Sequence, residues 1–372
     1  MIRDAPSLFV WSLSEQRLSS FDAFLEHYAT TVVFYGSGKA ALRDGLAGLV
    51  EPGQNVLIPA YLPDAVAEPF HDLGLEARYY AIQENLAPDL ADIERRIDDE
   101  TAAVMSVNYF GFPQPGLEEF VSLVDEYDCY HIDDNAHGPF SVDNGTLLGT
   151  RGSLGVTSLW KLLPIPNGAV LYCNDDDVVD RLEPSSFAGV SDRVTVSDCH
   201  FVLKSVLVDL LSANPTVRRS VTDLVTGRGR APSIPNPADR YEADKVPMSK
   251  LSSHVVEDVN PSAIRDSRRS NYRAWRRIFD AVDDVEPLFE SLPRGICPQV
   301  FPVRTPTPQR LLAELERCGV TGGHTWPRLS STVTEDPAYE VSTNLAREVV
   351  VLPVHQHIDP SSIDAVGDRL RW

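Results

Sequence analysis

The first half of the chain alternates apolar runs with amphipathic segments. The stretches NVLIPA at 55–60 and AAVMSV at 102–107 are apolar almost throughout, which is typical of strands buried on both faces of a sheet. Apolar residues at helical spacing separate such runs, as with Leu90, Ile93 and Ile97. The alternation predicts an α/β fold with a mostly parallel central sheet and helices on both of its faces.

The predicted strands and helices of this half follow each other in turn. Strands are predicted at 30–35, 55–60, 75–82, 102–107 and 129–132. Helices are predicted at 40–49, 66–73, 89–97 and 117–127. Because the carboxyl ends of parallel strands meet at one edge of a sheet, we expect a ligand beside the segments that follow the strands. Those segments are 36–39, 59–64, 108–111 and 133–137.

The regular alternation ends near Asn174. Residues 183–240 contain one or two predicted helices and end in a Pro/Gly-rich connector at 227–240, where we place a domain boundary. The remaining predicted elements are a long helix after Asn260-Pro261, a helix at 308–318, a strand at 349–352 and a terminal helix. The predicted units are an N-terminal arm with a first helix (1–30), a large domain (31–240) and a small α+β domain (241–372).

The charge of the chain limits its partners. The net charge is −21, and the basic residues form no cluster of the kind that binds a phosphate backbone, which excludes nucleic acid as a partner. Lysine is rare and occurs at Lys39, Lys161, Lys204, Lys245 and Lys250. Such an acid-rich, lysine-poor surface is typical of proteins from a cytoplasm of high salt.

Cysteine usage and hydropathy indicate the compartment. The chain has 5 cysteines without a C-x-x-C motif, which indicates free thiols rather than a disulfide framework or a metal site. The apolar run near the N-terminus is too short for a signal peptide, and no apolar stretch is long enough to span a membrane. We therefore expect a cytoplasmic protein with no membrane partner and no bound metal.

The segment YGSGKAAL at 35–42 follows a predicted strand and opens a helix, a place where backbone N–H groups bind phosphate. A P-loop would have glycine at Val33 and Ser or Thr at Ala40, so that motif is excluded. A dinucleotide-binding turn would need an acid after the second strand, where PAYLP stands. A cup for a cofactor phosphate and a glycine turn without a ligand both remain open.

An acid pair and a lysine follow. HIDDNAHG places Asp133 and Asp134 at the end of a strand, and SLWKLLP places Lys161 among apolar residues, where its pKa would fall. Pyridoxal phosphate chemistry needs an acid that keeps the pyridine nitrogen protonated and a lysine that forms a Schiff base. Only one of two adjacent acids can do this, and we expect the other to face solvent or cap a helix. The alternatives are a capping acid and a surface lysine.

These motifs, in this order, resemble the DegT–StrS family of sugar aminotransferases, which are fold-type I pyridoxal phosphate enzymes. GSGKAAL resembles the family's phosphate-binding S-G-T-A-A-L, and HIDDNAHG resembles its I-E-D-A-A-(Q/H). VNYFGFP is similar to V-H-x-x-G-x-P, RRSNYRAW to R-R-x-N-x-x-Y, and VVVLPVHQ to the L-P-x-H stretch near the C-terminus. The resemblance covers nearly the whole chain and implies the fold-type I architecture.

The resemblance implies a role for each matching position. Asp134 matches the acid at the pyridine nitrogen, His137 the residue near the 3-hydroxyl, and Lys161 the Schiff-base lysine; these three are the implied catalytic residues. Ser158 matches a phosphate-binding serine, although it stands closer to the lysine than in the family. The implied cofactor-binding residues are Ser37, Gly38, Lys39, Tyr61, Asp134, His137, Ser158 and Lys161.

Several positions depart from the family pattern. Lys39 replaces a threonine, so an ammonium group would meet the phosphate. Pro63 stands where an aromatic residue usually stacks on the pyridine ring, and Tyr61 is the candidate substitute. Ser153 replaces an aspartate, and Lys245 aligns near the asparagine that the partner subunit supplies.

The resemblance implies an aminotransferase that moves an amino group from glutamate to a nucleotide-linked keto-sugar, in glycan or cell-surface polysaccharide biosynthesis. It also implies a homodimer with its sites at the subunit interface. The alternative is a non-catalytic or regulatory protein on a decayed scaffold, which the changes at Lys39, Pro63 and Ser153 suggest. A related sugar dehydratase would have histidine at Lys161, and a nicotinamide dehydrogenase would need the missing acid.

Overall fold

The computed structural model describes residues 2–8, 21–29, 31–212 and 236–372, except the side chains of 207–212. The strands of the large sheet are β1 (Thr31–Tyr35), β2 (Asn55–Pro59), β3 (Glu76–Tyr80), β4 (Thr101–Val107), β5 (Tyr130–Asp134), β8 (Leu154–Ser158) and β9 (Ala169–Cys173). A hairpin consists of β6 (Val142–Asp143) and β7 (Thr146–Leu147). The small sheet consists of β10 (Glu286–Pro287), β11 (Val300–Arg304), β12 (His324–Thr325) and β13 (Val349–Pro353).

The large sheet has the strand order β1-β9-β8-β5-β4-β2-β3. All neighbours are parallel except that β9 runs antiparallel to β1 and β8, which confirms the predicted mostly parallel sheet. Strand β5 extends two residues beyond its predicted end, because Asp133 and Asp134 still pair with Ser106 and Val107 of β4. The acid pair therefore belongs to the strand itself and does not follow it.

Helices cover the sheets. They are α1 (Phe21–Tyr28), α2 (Gly38–Ala47), α3 (Glu68–Asp72), α4 (Leu90–Arg96), α5 (Leu117–Glu126), α6 (Asp176–Arg181), α7 (Val196–Ser212), α8 (Pro237–Asp244), α9 (Lys250–Glu257), α10 (Pro261–Phe279), α11 (Pro308–Arg317), α12 (Ser331–Glu335), α13 (Glu340–Glu348) and α14 (Pro360–Gly367). Asn260 caps α10 as predicted, since its side chain accepts a hydrogen bond from Ala263 N at 3.1 Å. Most of the predicted connector at 227–240 lies outside the described residues, and its end is the start of α8.

The small antiparallel sheet, in the order β10-β11-β13-β12, packs against α10. Trp275 of that helix is buried and donates from Nε1 to the carbonyl of Pro353 at 2.9 Å. Phe112, which lies beyond the end of β4, stacks on Phe289 with ring centroids 4.0 Å apart. One hydrophobic core therefore joins the two sheets near the carboxyl edge of the large one.

In the described part of the chain, no helix is both long enough and apolar enough to cross a membrane. All five cysteines carry free thiols. The described side chains include no group of three or more that is placed to bind a metal ion.

Candidate active site

The carboxyl edge of the large sheet brings together the ends of β5 and β8 and the turn after β1. Asp134 is the last residue of β5, and it lies opposite Val156 of the neighbouring β8. Lys161 lies in the turn that follows β8. The turn at Gly36 joins the same edge through a hydrogen bond from Gly168 N to Gly36 O at 2.8 Å. The predicted acid, lysine and phosphate turn therefore lie at one edge.

Asp134 is a buried carboxylate with unused acceptor capacity. Its side chain is part of a residue only 6% exposed, and its Oδ1 accepts a hydrogen bond from Ala136 N at 2.8 Å. No other described group donates to it. Burial raises the pKa of Asp134 above its ordinary value, and the positive charge of Lys161 opposes that rise. The second carboxylate oxygen, Oδ2, can therefore accept a hydrogen bond from a donor on a bound ligand.

Asp133 has a different role from the one expected of it. It is fully buried, so it neither faces solvent nor caps a helix. Its carboxylate accepts hydrogen bonds from Asn108 Nδ2 at 2.6 Å, Gly149 N at 2.9 Å and Arg151 N at 3.1 Å. Adjacent strand residues point to opposite faces, and Asp133 therefore fixes the loop before β8 while Asp134 faces the lysine.

Lys161 is a half-buried amine without an ionic partner in the described ranges. It ends a short turn in which Leu162 N donates to the carbonyl of Leu159 at 3.0 Å. Burial lowers the pKa of Lys161 to about 8; the nearby charge of Lys39 adds to this, and that of Asp134 opposes it. A lysine with this pKa is partly neutral near pH 7 and can act as a nucleophile.

His137 is held as a neutral ring. Its Nδ1 accepts a hydrogen bond from Phe110 N at 3.0 Å, so the proton of the neutral imidazole lies on Nε2. The ring stacks on Phe110 with centroids 5.7 Å apart and meets the Trp326 ring edge-on at 5.3 Å. Burial and the charge of Lys161 hold the pKa of His137 well below its ordinary value.

The predicted phosphate turn already has protein partners. Ser37 caps α2, since its Oγ accepts a hydrogen bond from Ala40 N at 3.2 Å. The same hydroxyl donates to the carbonyl of Asp244 at 3.2 Å. The Lys39 ammonium forms an ion pair with the Asp244 carboxylate at 2.9 Å. The end of α8 therefore lies directly beside the start of α2.

Glycine at position 38 keeps the site open beside Ser158. A Cβ at Gly38 would meet Ser158 Oγ at 3.1 Å, which is closer than ordinary contact. The serine hydroxyl therefore approaches the first turn of α2, where backbone N–H groups and the helix dipole favour an anion.

Tyr61 lies behind the site as part of the core. It is fully buried, and its hydroxyl donates to the carbonyl of Trp326 at 2.8 Å. Trp326 itself stands between Tyr61, at 5.2 Å between ring centroids, and His137. Trp326 is thus a residue of the site that the sequence did not reveal. Its only signal was an aromatic residue before a proline, at a point 265 positions from Tyr61.

The residues present fit pyridoxal phosphate. Asp134 can accept a hydrogen bond from a protonated ring nitrogen, and the Lys161 amine has no competing partner among the described residues. The start of α2, with Lys39 and Ser158, offers a positive and donor-rich place for a phosphate. Two contacts of Asp244 oppose this fit: its carboxylate pairs with Lys39, and its carbonyl accepts the hydrogen bond that the Ser37 hydroxyl donates.

The chain matches the sequence model described as "DegT/DnrJ/EryC1/StrS aminotransferase family" over residues 11–209. It is 29% identical over 373 residues to the dTDP-4-dehydro-2,3,6-trideoxy-D-glucose 4-aminotransferase of Saccharopolyspora spinosa. That match covers 95% of this chain and 88% of the relative. It is 27% identical over 168 residues to the GDP-perosamine synthase of Vibrio cholerae, and that match spans 44% of this chain and only 45% of the relative.

Solved structures share the fold. The aminotransferase TlmJ of Streptoalloteichus hindustanus superposes with a TM-score of 0.66 at 19% identity, covering 94% of this chain and 88% of that one. The aminotransferase PseC of Helicobacter pylori, which takes part in the biosynthesis of pseudoaminic acid, superposes with a TM-score of 0.69 at 14% identity, covering 97% of this chain and 93% of that one.

Proposed function

We propose that this chain, which belongs to the DegT/DnrJ/EryC1/StrS aminotransferase family, moves an amino group from glutamate to a nucleotide-linked keto-sugar. As a member of that family it is an aminotransferase that uses pyridoxal 5′-phosphate. The product would be an amino sugar for a glycan or a cell-surface polysaccharide.

The observation that carries the proposal is the pair Asp134 and Lys161. Asp134 is a buried acid that accepts a single hydrogen bond from the described residues, and Lys161 is a half-buried amine with a lowered pKa and no ion pair among them. Each charge acts on the pKa of the other, so the two side chains share one site. In an ion pair with a purely structural role, the two charged groups would instead be in direct contact and would form further hydrogen bonds.

The residues have distinct roles in the proposal. When bound, the cofactor ring supplies an electron sink for the substrate carbon. The Lys161 amine would hold the cofactor, and its lowered pKa would allow it to take up and return a substrate proton. Asp134 would keep a proton on the ring nitrogen, and the Nε2–H of His137 would be available to donate a hydrogen bond to the cofactor. The phosphate would be held by Ser37, Gly38, Lys39 and Ser158, and Tyr61 would support Trp326 through its hydrogen bond to the Trp326 carbonyl.

The names of the relatives support the sugar substrate. GDP-perosamine synthase and the dTDP-4-dehydro-2,3,6-trideoxy-D-glucose 4-aminotransferase both act on a sugar that is linked to a nucleoside diphosphate. We propose the same class of acceptor for this chain, with glutamate as the donor that the family resemblance implies.

Absorbance of the purified protein tests the cofactor half of the proposal. The wild type, incubated with pyridoxal phosphate, is expected to gain a visible band from the lysine-bound cofactor, and Lys161→Ala is expected to lack it. Lys204→Ala, which removes an exposed lysine of α7, is the matched control and keeps the band. Glutamate should then convert the bound cofactor and release 2-oxoglutarate. A wild type that stays colourless after reconstitution would contradict the proposal.

The ion pair between Lys39 and Asp244 favours a second candidate, a regulatory protein on a decayed scaffold. There the carboxylate would keep the phosphate turn closed to the cofactor. This candidate predicts that glutamate exchanges no amino group even when pyridoxal phosphate is bound. The free acceptor on Asp134 and the lowered pKa of Lys161 support the enzyme instead.

We further propose a cytoplasmic homodimer. A groove of about 910 Å³ lies beside α7 and α9, and it is lined by apolar side chains that include Val194, Val202 and Leu203. Val194 is 61% exposed and Leu203 58% exposed, which is typical of a surface that a second copy covers. The five free thiols fit a reducing compartment.

A further inference from the structure

Arg268 is a fully buried cation without an acidic partner. It lies in α10, it is 1% exposed, and none of the ion pairs between described residues includes it. Burial lowers the pKa of Arg268 to about 10, so the side chain remains charged at neutral pH. Burying a charge costs free energy unless its hydrogen-bond donors are satisfied, and the partners of Arg268 therefore indicate its role.

Every partner of Arg268 is neutral. Its Nε donates to Gln356 Oε1 at 3.0 Å, and its Nη1 donates to the carbonyls of Pro298 at 3.2 Å and Gln299 at 3.0 Å. Its Nη2 donates to the carbonyl of Leu162 at 3.1 Å. The first three contacts lie within the C-terminal part of the chain. The fourth crosses to the turn that carries Lys161.

A second donor meets the same carbonyl. Gln356 Nε2 lies 3.0 Å from Leu162 O, so Arg268 and Gln356 bind one acceptor together while they also bind each other. On its other side the turn is fixed to the large sheet, since Leu159 N donates to the carbonyl of Gly168 at 2.9 Å. The backbone that carries Lys161 is therefore held from two sides.

We propose that Arg268 and Gln356 are positioning residues for Lys161. By holding the carbonyl of Leu162 they fix the direction in which the lysine side chain leaves the backbone and keep its amine beside Asp134, away from solvent. The inference rests on the proposed function, in which this amine attaches the cofactor. It also makes the reactivity of the lysine depend on how the C-terminal part of the chain, which carries Arg268 and Gln356, packs against the lysine turn.

The next residue in the helix provides a matched control. Arg269 is also buried and also donates to backbone carbonyls, those of Pro293, Ile296 at 3.0 Å and Leu292 at 3.4 Å. None of these carbonyls belongs to the lysine turn. Loss of Arg269 therefore removes a comparable set of hydrogen bonds without releasing Leu162.

The experiment compares Arg268→Met, Gln356→Leu and Arg269→Met in the full chain without cofactor. The rate at which a small amine-reactive reagent modifies Lys161, measured by peptide mass spectrometry across pH, gives the pKa of its amine. We expect a midpoint near the wild-type value of about 8 in Arg269→Met. In Arg268→Met and Gln356→Leu we expect it to rise by about one pH unit, because a released side chain regains solvent. Pyridoxal phosphate should bind these two variants about tenfold more weakly.

The outcomes separate the two proposals. An unchanged midpoint in Arg268→Met and Gln356→Leu would overturn the positioning role, and so would an equal shift in Arg269→Met. Gln356 is only partly buried, so Gln356→Leu decides the question if Arg268→Met does not fold. A wild type whose Lys161 never reacts with pyridoxal phosphate would instead overturn the proposed function, while the comparison of midpoints would still test the contact.

Discussion

The Nζ of Lys39 lies 2.9 Å from Oδ2 of Asp244, so the cation of the phosphate turn is already paired with a carboxylate. An incoming phosphate must compete with that carboxylate. Because the Asp244 side chain is 45% exposed, solvent screens the pair and the competition is modest. We expect Asp244→Asn to bind pyridoxal phosphate about three- to tenfold more tightly, as measured by absorbance titration of the cofactor-free protein. Asp239→Asn, in the same helix and exposed, should bind like the wild type; weaker binding by Asp244→Asn would contradict the expectation.

The lowered pKa of Lys161 predicts how cofactor attachment depends on pH. Only the neutral amine reacts, so the attachment rate should increase as the pH rises towards about 8 and level off above it. Removal of the Asp134 charge, which raises this pKa, should move the midpoint of the profile in Asp134→Asn to lower pH. Stopped-flow absorbance measures both profiles. A profile that still climbs at pH 10 would mean that the amine is an ordinary exposed lysine.

Asp134→Asn should also separate attachment from exchange. The amide cannot keep the ring nitrogen protonated, so amino exchange with glutamate should fall by at least about a hundredfold although the cofactor still attaches. Single-turnover absorbance after addition of glutamate measures this. Retained exchange in the variant would show that another group supplies the proton.

Asp133 is expected to affect stability. Asp133→Ala leaves Asn108 Nδ2, Gly149 N and Arg151 N without their acceptor, and should lower the free energy of unfolding by about 3 kcal/mol or more. Asp134→Asn keeps an acceptor for Ala136 N and should change stability by less than about 1 kcal/mol. Urea unfolding of the cofactor-free proteins measures the change in stability of both variants. Equal losses in the two variants would be inconsistent with separate roles.

The apolar groove beside α7 predicts an effect on assembly. Leu203 is 58% exposed in this groove, and Leu203→Glu should turn a dimer into a monomer because two carboxylates would be desolvated at the contact. Light scattering coupled to gel filtration measures the mass. Val179→Glu, at another exposed apolar position, is the control and should have the same mass in solution as the wild type. A wild type that is monomeric at micromolar concentration would remove the basis of the proposed dimer.

The sequence predicted the features that depend on local pattern. The parallel sheet, the helix after Asn260 and the placement of Asp134 and Lys161 at one edge all follow from periodicity and from short motifs around each residue. The extent of β5 was predicted two residues short, since an aspartate pair is unusual inside a strand. In this strand the three hydrogen bonds that the Asp133 carboxylate accepts offset the cost of burying it.

Contacts between distant positions could not be predicted in this way. Arg268 and Leu162 are 106 positions apart, and Tyr61 and Trp326 are 265 positions apart. No periodicity encodes which carbonyl a buried arginine will meet, because that depends on how the two sheets pack. For the same reason the sequence did not predict the ion pair between Lys39 and Asp244, although Lys39 belongs to the predicted phosphate turn and Asp244 directly precedes Lys245.

The two-sided anchoring of the lysine turn has a consequence for synthesis of the protein. Leu159 can bond to Gly168 as soon as the large sheet is made, but Leu162 waits for donors that come later in the chain. Arg268 and Gln356 follow Leu162 by 106 and 194 positions, so both donors are synthesised well after the turn that they bind. A nascent chain can therefore form the sheet and place both aspartates of β5 before the carbonyl of Leu162 has its donors, and we expect the lysine turn to become fixed only after both donors have been made.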